Sequence, residues 1–148
     1  MGASKEVQDL NALARDYKAG KFPNFPTHYI PTGRLKDSSA NELTKACLAF
    51  FKINGFFATR VSTTGLMRDG VWTKGNTRKG MSDLVAVVNG LAVFTEIKYG
   101  RDFQNASQKQ VQKEVEQSGG IYLIARTYAD FERQMLAVIH SQHQKEKG

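Results

Sequence analysis

Apolar side chains recur along this chain at two spacings, and the change from one spacing to the other marks out the elements. Val7, Leu10, Ala14 and Tyr17 follow three- and four-residue steps and predict one weakly amphipathic helix. All three prolines, Pro23, Pro26 and Pro31, come after it, so residues 1–38 read as a helix followed by a proline- and aromatic-rich arm rather than as core. The aromatics Phe22, Phe25 and Tyr29 in that arm need burial, either on the domain or on a second copy of the chain.

From Ser39 the pattern sharpens. Leu43, Ala46, Cys47, Phe50 and Ile53 form one apolar stripe, with Gly55 placed to end the helix, which predicts a helix over 40–54. Residues 56–64 are rich in aromatic and β-branched side chains and predict a strand, and the glycine-rich stretch after them predicts a loop or ribbon. Two apolar runs, 84–88 and 91–97, are separated by Asn89-Gly90, the pair that most readily supplies positive φ at both corners of a tight hairpin turn. These are predicted as adjacent antiparallel strands. Gln108, Val111 and Val115 share one face of a helix over 106–117, Gly119-Gly120 stops it, and 121–125 predicts a further strand. A right-handed crossover sets that strand parallel to 91–97 in the same sheet. Phe131, Met135 and Val138 mark a final helix behind a Thr127 cap, with a charged tail expected to fray from His140 onward. The expected fold class is α/β, or α+β, with a mixed β-sheet flanked by helices. Residues 39–140 form the expected domain and 141–148 a disordered tail.

Composition narrows the function classes. At 148 residues the chain holds one domain with a core of its own. No run of about 18 apolar residues spans a bilayer, and the first 20 residues lack the apolar centre of a secretory signal, so a cytoplasmic protein with no membrane partner is expected. Cys47 is the only cysteine, which excludes an internal disulfide and a cysteine-based zinc site, and its apolar neighbours assign it to packing. A net charge of +7 favours a polyanionic partner, nucleic acid ahead of an anionic membrane surface. Within residues 60–80, Arg60, Arg68, Lys74, Arg78 and Lys79 face Asp69 alone. Basic loops are also often merely solvated, so this run by itself leaves both readings open.

The candidate chemistry sits in the hairpin. In Thr95-Glu96-Ile97-Lys98 the period of a strand puts Glu96 and Lys98 on one face and Ile97 on the other. Continuing the register from a Val88–Leu91 pair places Asp83 opposite Glu96, with Cβ atoms about 4.5–5.5 Å apart. Two carboxylates at about 4 Å repel by roughly 4 kcal/mol at an effective dielectric near 20. A divalent cation explains such a pair, since hard carboxylate oxygens suit Mg2+ or Mn2+, and Lys98 is then placed to orient water or stabilise phosphate charge. A structural triad, with Lys98 neutralising both acids, is the competing account.

Gly80-Met81-Ser82-Asp83, followed by Glu96-Ile97-Lys98, resembles the PD-(D/E)xK nuclease signature, with serine where that motif has proline. Within that superfamily the chain is most similar to the VRR-NUC branch, related to Holliday junction resolvases, over about residues 39–137. The resemblance implies a restriction-endonuclease-like core and metal-dependent hydrolysis of DNA, selective for branched or junction DNA, by a homodimer. It implies Asp83, Glu96, the carbonyl of Ile97 and Glu42 as metal ligands, and Gln108 as a further site residue. Glu42 also falls at the fourth position of a Ser39-Ala40-Asn41-Glu42 capping box, and Gln108 is also readable as plain surface polarity. Arg60, Arg68, Lys74, Arg78 and Lys79 become DNA-backbone contacts. Trp72 either stacks on a base or fills core, and core is the favoured expectation. His28, His140 and His143 lie in the arm and tail and are not assigned as ligands or bases. The rivals are a nucleic-acid-binding module, and an interaction subunit that kept the fold without the activity.

Overall fold

Alternation in the strands and the helical stripes meet in one core. A computed structural model describes residues 2–24, 26, 28, 33–61, 66–73 and 78–148. Its helices are α1 (Lys5–Lys21), α2 (Ala40–Ile53), α3 (Ala106–Gln117) and α4 (Tyr128–Glu146). Its strands are β1 (Phe57–Arg60), β2 (Leu66–Arg68), β3 (Val71–Thr73), β4 (Leu84–Val88), β5 (Leu91–Ile97) and β6 (Ile121–Ala125). β1, β4, β5 and β6 form a mixed four-stranded sheet in that order, and β2 and β3 form a separate small hairpin. β6 runs parallel to β5, as the crossover through α3 requires, while the other neighbours are antiparallel. Among the described residues no helix is long and apolar enough to cross a membrane.

The hairpin behaves as its turn dictates. Asn89 and Gly90 both take positive φ, 50° and 83°, and Val88 pairs with Leu91. That register sends Leu84, Ala86, Val88, Val93, Ile97, Leu123 and Ala125 to one face, where they join Leu43, Ala46, Cys47, Phe50 and Phe51 of α2 and Tyr128, Phe131 and Met135 of α4. Phe50, Phe51 and Phe131 meet edge to face with centroids 5.5–5.8 Å apart. Cys47 is buried there, and burial pushes its thiol pKa up, consistent with packing rather than reactivity.

Three boundaries differ from expectation. Val7 and Leu10 of α1 are fully part of the core and Leu35 packs against it, so the N-terminal helix belongs to the domain; of the arm aromatics, Phe22 is exposed, and Phe25 and Tyr29 lie outside the described residues. The link is also polar: Asn11 exchanges hydrogen bonds with the backbone of Leu35. At the other end, α4 continues to Glu146 instead of fraying at His140. Gln142 explains part of this, because its amide donates to the Val88 carbonyl at 2.8 Å and holds the last turns against the hairpin. Strand β1 is shorter than the predicted 56–64, and residues 62–64 of that prediction lie outside the described residues.

Candidate active site

The second face of the sheet carries charge. Asp83 directly precedes β4, and the register that pairs Leu84 with Thr95 puts it across from Glu96. Its carboxylate Oδ2 accepts the Ile97 amide at 2.7 Å, and its carbonyl accepts the Val61 amide at 2.8 Å, so backbone on both sides pins the residue. The loop before it is also fixed. Gly80 has φ +86°, and a Cβ there would lie 2.6 Å from the Ser107 carbonyl, so only glycine lets the Gly80–Asp83 loop press against the first turn of α3. Ser82 is buried with its hydroxyl donating to the Leu84 carbonyl.

Glu96 is the centre of the cluster and is only 2 % exposed. Gln108 Nε2 donates to its Oε1 at 2.7 Å and Tyr122 Oη to its Oε2 at 3.1 Å. Lys98 Nζ stands 3.5 Å from the same Oε1, itself 5 % exposed, and 3.5 Å from Asp102. Burial first, and then the charge of Asp83, pushes the Glu96 pKa up to about 7, against the opposing pull of Lys98 and Tyr122. The same burial, with Glu96 beside it, raises the Tyr122 phenol, which therefore stays a donor. The Lys98 backbone is held as well: its amide donates to the Ala125 carbonyl, and Arg126 donates to the carbonyls of Lys98 and Asp102.

Gln108 has two tasks. Its Oε1 accepts the Asn105 amide in a reciprocal capping box at the start of α3, which fixes the rotamer that presents Nε2 to Glu96. The structure thus brings Asp83, Glu96, Lys98 and Gln108 together. Ile97 contributes backbone to the same place while its side chain enters the core on the opposite face.

Glu42 is placed differently. Its amide donates to Ser39 Oγ, and its carboxylate accepts from Ser38 rather than closing the capping box on the Ser39 amide. Among the described residues no three His, Cys, Asp or Glu side chains gather as a metal-holding group, so Glu42 does not join the Asp83–Glu96 pair. The basic run is likewise spread out. Arg60 donates to Asn41 of α2, Arg68 projects from the β2–β3 hairpin, and Lys79 is exposed. Arg78 forms a two-pronged pair with Glu114, whose carboxyl it holds down at about 2. Lys74 lies outside the described residues. Trp72 is exposed on the hairpin, which corrects the expectation that it fills core. Tyr122, Asp102 and Arg126 went unassigned in the sequence. Alternation along β6 does put Tyr122 on the Glu96 face, but only the parallel register, Phe94 opposite Tyr122, brings it within reach.

No family model matches the chain, and searches of curated proteins and of solved structures return no match.

Two carboxyl groups within reach of each other, one raised towards neutrality by its burial and then by the charge of the other, form a donor set suited to a hard divalent cation. Each Glu96 oxygen accepts one protein hydrogen bond at this site, and a carboxylate oxygen has lone-pair capacity for a second partner. The Asp83 and Glu96 carboxylates are the groups here that could hold such an ion.

Proposed function

We propose that this chain is a metal-dependent deoxyribonuclease, with Mg2+ or Mn2+ held by Asp83, Glu96 and the Ile97 carbonyl, within a restriction-endonuclease-like core. The observation that carries the reading is the facing pair of acids, half-buried Asp83 and buried Glu96, beside the buried Lys98 at the end of a hairpin. A bound divalent ion supplies charge for the phosphodiester and an acidified water. Lys98, fixed through Glu96, Asp102 and its own backbone bonds, is positioned to stabilise negative charge on the phosphate. Gln108 and Tyr122 set the Glu96 carboxylate in one orientation, so its oxygens do not have to reorganise. DNA is favoured as the substrate by the net charge of +7, and a homodimer acting on branched DNA belongs to the proposal.

Incubating plasmid and four-way junction DNA with Mg2+ or Mn2+ tests this. Cleavage by the wild type and a loss of roughly 100-fold or more in both Asp83→Asn and Lys98→Ala are expected. Activity surviving in both variants would remove the mechanism.

A second reading has its own observation. Both Glu96 oxygens already accept a hydrogen bond within the protein and Lys98 stands beside one of them, so the Asp83–Glu96–Lys98 cluster also reads as a structural triad in a nucleic-acid-binding module. DNA binding without cleavage in either metal favours that reading.

A further inference from the structure

Trp72 is the only tryptophan in the chain, and a side chain with so much apolar surface is normally mostly buried. Here it is 62 % exposed. It pairs across the β2–β3 hairpin with Met67, which is 66 % exposed. Directly opposed residues of a two-stranded ribbon point to the same side, so indole and thioether form one apolar step open to solvent. Arg68 and Val71 form the opposed pair on the other side. The tip is set by Asp69 and Gly70, both at positive φ, a turn that holds a two-residue hairpin without help from packing. Among the described residues the ribbon has no substantial packing on any other helix or strand.

Charge decides what fits this step. Residues 60–80 carry five basic side chains and one acid, and the whole chain is at +7. A second copy would bring together two chains that each carry +7. A polyanion with flat apolar faces suits both the charge and the indole, and unpaired nucleobases on a phosphate backbone are that ligand. A fully paired duplex hides those faces. The ribbon is also tethered to the acid pair: the Val61 amide is bonded to the Asp83 carbonyl, and five residue steps along the chain, at most about 18 Å, lead from Val61 to Leu66.

We propose that Trp72, with Met67 beside it and Arg68 on the same ribbon, stacks on an unpaired base of the nucleic acid, so that the substrate class is DNA carrying single-stranded or unstacked bases. This deepens the nuclease reading and depends on it for the substrate's role, but not for the binding itself.

The lone tryptophan is its own reporter. The full-length protein is titrated in EDTA with a single strand, a blunt duplex and a forked duplex, following both Trp72 emission and the anisotropy of labelled DNA. The single strand and the fork are expected to quench emission by about half or more, and the blunt duplex to leave it nearly unchanged, as base stacking on an indole predicts. Trp72→Ala is expected to weaken fork binding roughly tenfold, while Trp72→Phe stays within about threefold, since a phenyl ring still stacks. The exposed ribbon lies outside the core, so both variants keep the wild-type fold, checked by circular dichroism. Saturable fork binding with unchanged emission, or wild-type affinity in Trp72→Ala, would overturn the stacking. So would an emission shift that follows protein concentration without DNA, which would make the ribbon a contact between copies. No metal is present, so cleavage is not read. Loss of quenching in a protein that still cuts DNA ends the stacking proposal alone, and quenching in a protein that never cuts ends the nuclease reading alone.

Discussion

The two faces of the four-stranded sheet come from the same alternating strands, yet one is closed and the other is held open. On the closed face, aliphatic residues of β4, β5 and β6 meet α2, α4 and an aromatic cluster, with α1 packed on those two helices. On the other face, α3 covers β6 with Val111 while Glu96, Lys98 and Tyr122 lie buried at its edge. Beyond them Val87 and Phe57 remain exposed. Apolar contacts hold the first face, and hydrogen bonds aimed at one carboxylate organise the second. Stability and chemistry are therefore expected to separate under mutation.

The largest separation is expected for Phe131→Ala. Removing a fully buried ring from the closed face costs about 3–5 kcal/mol in urea unfolding, while cleavage per folded molecule is unchanged. A parallel fall in both would merge the two faces into one functional unit.

The next effect belongs to Glu96. Its carboxyl rises from an ordinary 4.5 to about 7 in the fold, so the folded state holds a proton that the unfolded state releases. That contribution is fully present below about pH 4.5 and is lost as pH rises through about 7, on the order of 3 kcal/mol in metal-free protein. Urea unfolding in EDTA at pH 4.5 and pH 8 measures it against Glu96→Gln, in which this pH dependence flattens. Equal slopes in the two proteins would contradict it. Mn2+ added at pH 8 is expected to restore stability, because an ion that binds only the folded state shifts the balance towards it.

Tyr122→Phe removes one donor to Glu96 without changing shape. A loss of about 1.5–3 kcal/mol is expected at pH 8, where Glu96 is charged, and less at pH 5. No difference between the two pH values would mean that Tyr122 only packs. The smallest effect comes from the closed face. Thr95 is buried there, and its hydroxyl has no hydrogen-bond partner among the described residues, so Thr95→Val is expected to raise stability by about 1 kcal/mol. A decrease would mean that the hydroxyl is satisfied by bound water.

Legibility followed the same division. Local signals found the hairpin, because Asn89-Gly90 fixes both turn and register, and register alone put Asp83 across from Glu96. The capping residues and helical stripes found α2, α3 and the start of α4. What escaped needed long-range geometry. Tyr122 joins Glu96 across 26 residues, and Arg78 meets Glu114 across 36, pairings that no local period encodes. Trp72 was misplaced because burial is the usual fate of tryptophan, and nothing local says that its ribbon leaves the core. The end of α4 was misjudged because its apolar stripe stops, although Gln142 still reaches the hairpin.

The most direct test is a crystal soaked in Mn2+ and examined at the manganese absorption edge. An anomalous peak between the Asp83 and Glu96 carboxylates, next to the Ile97 carbonyl, is the predicted result. No peak there, with Lys98 bridging both acids, would contradict the account and leave the cluster as a structural triad.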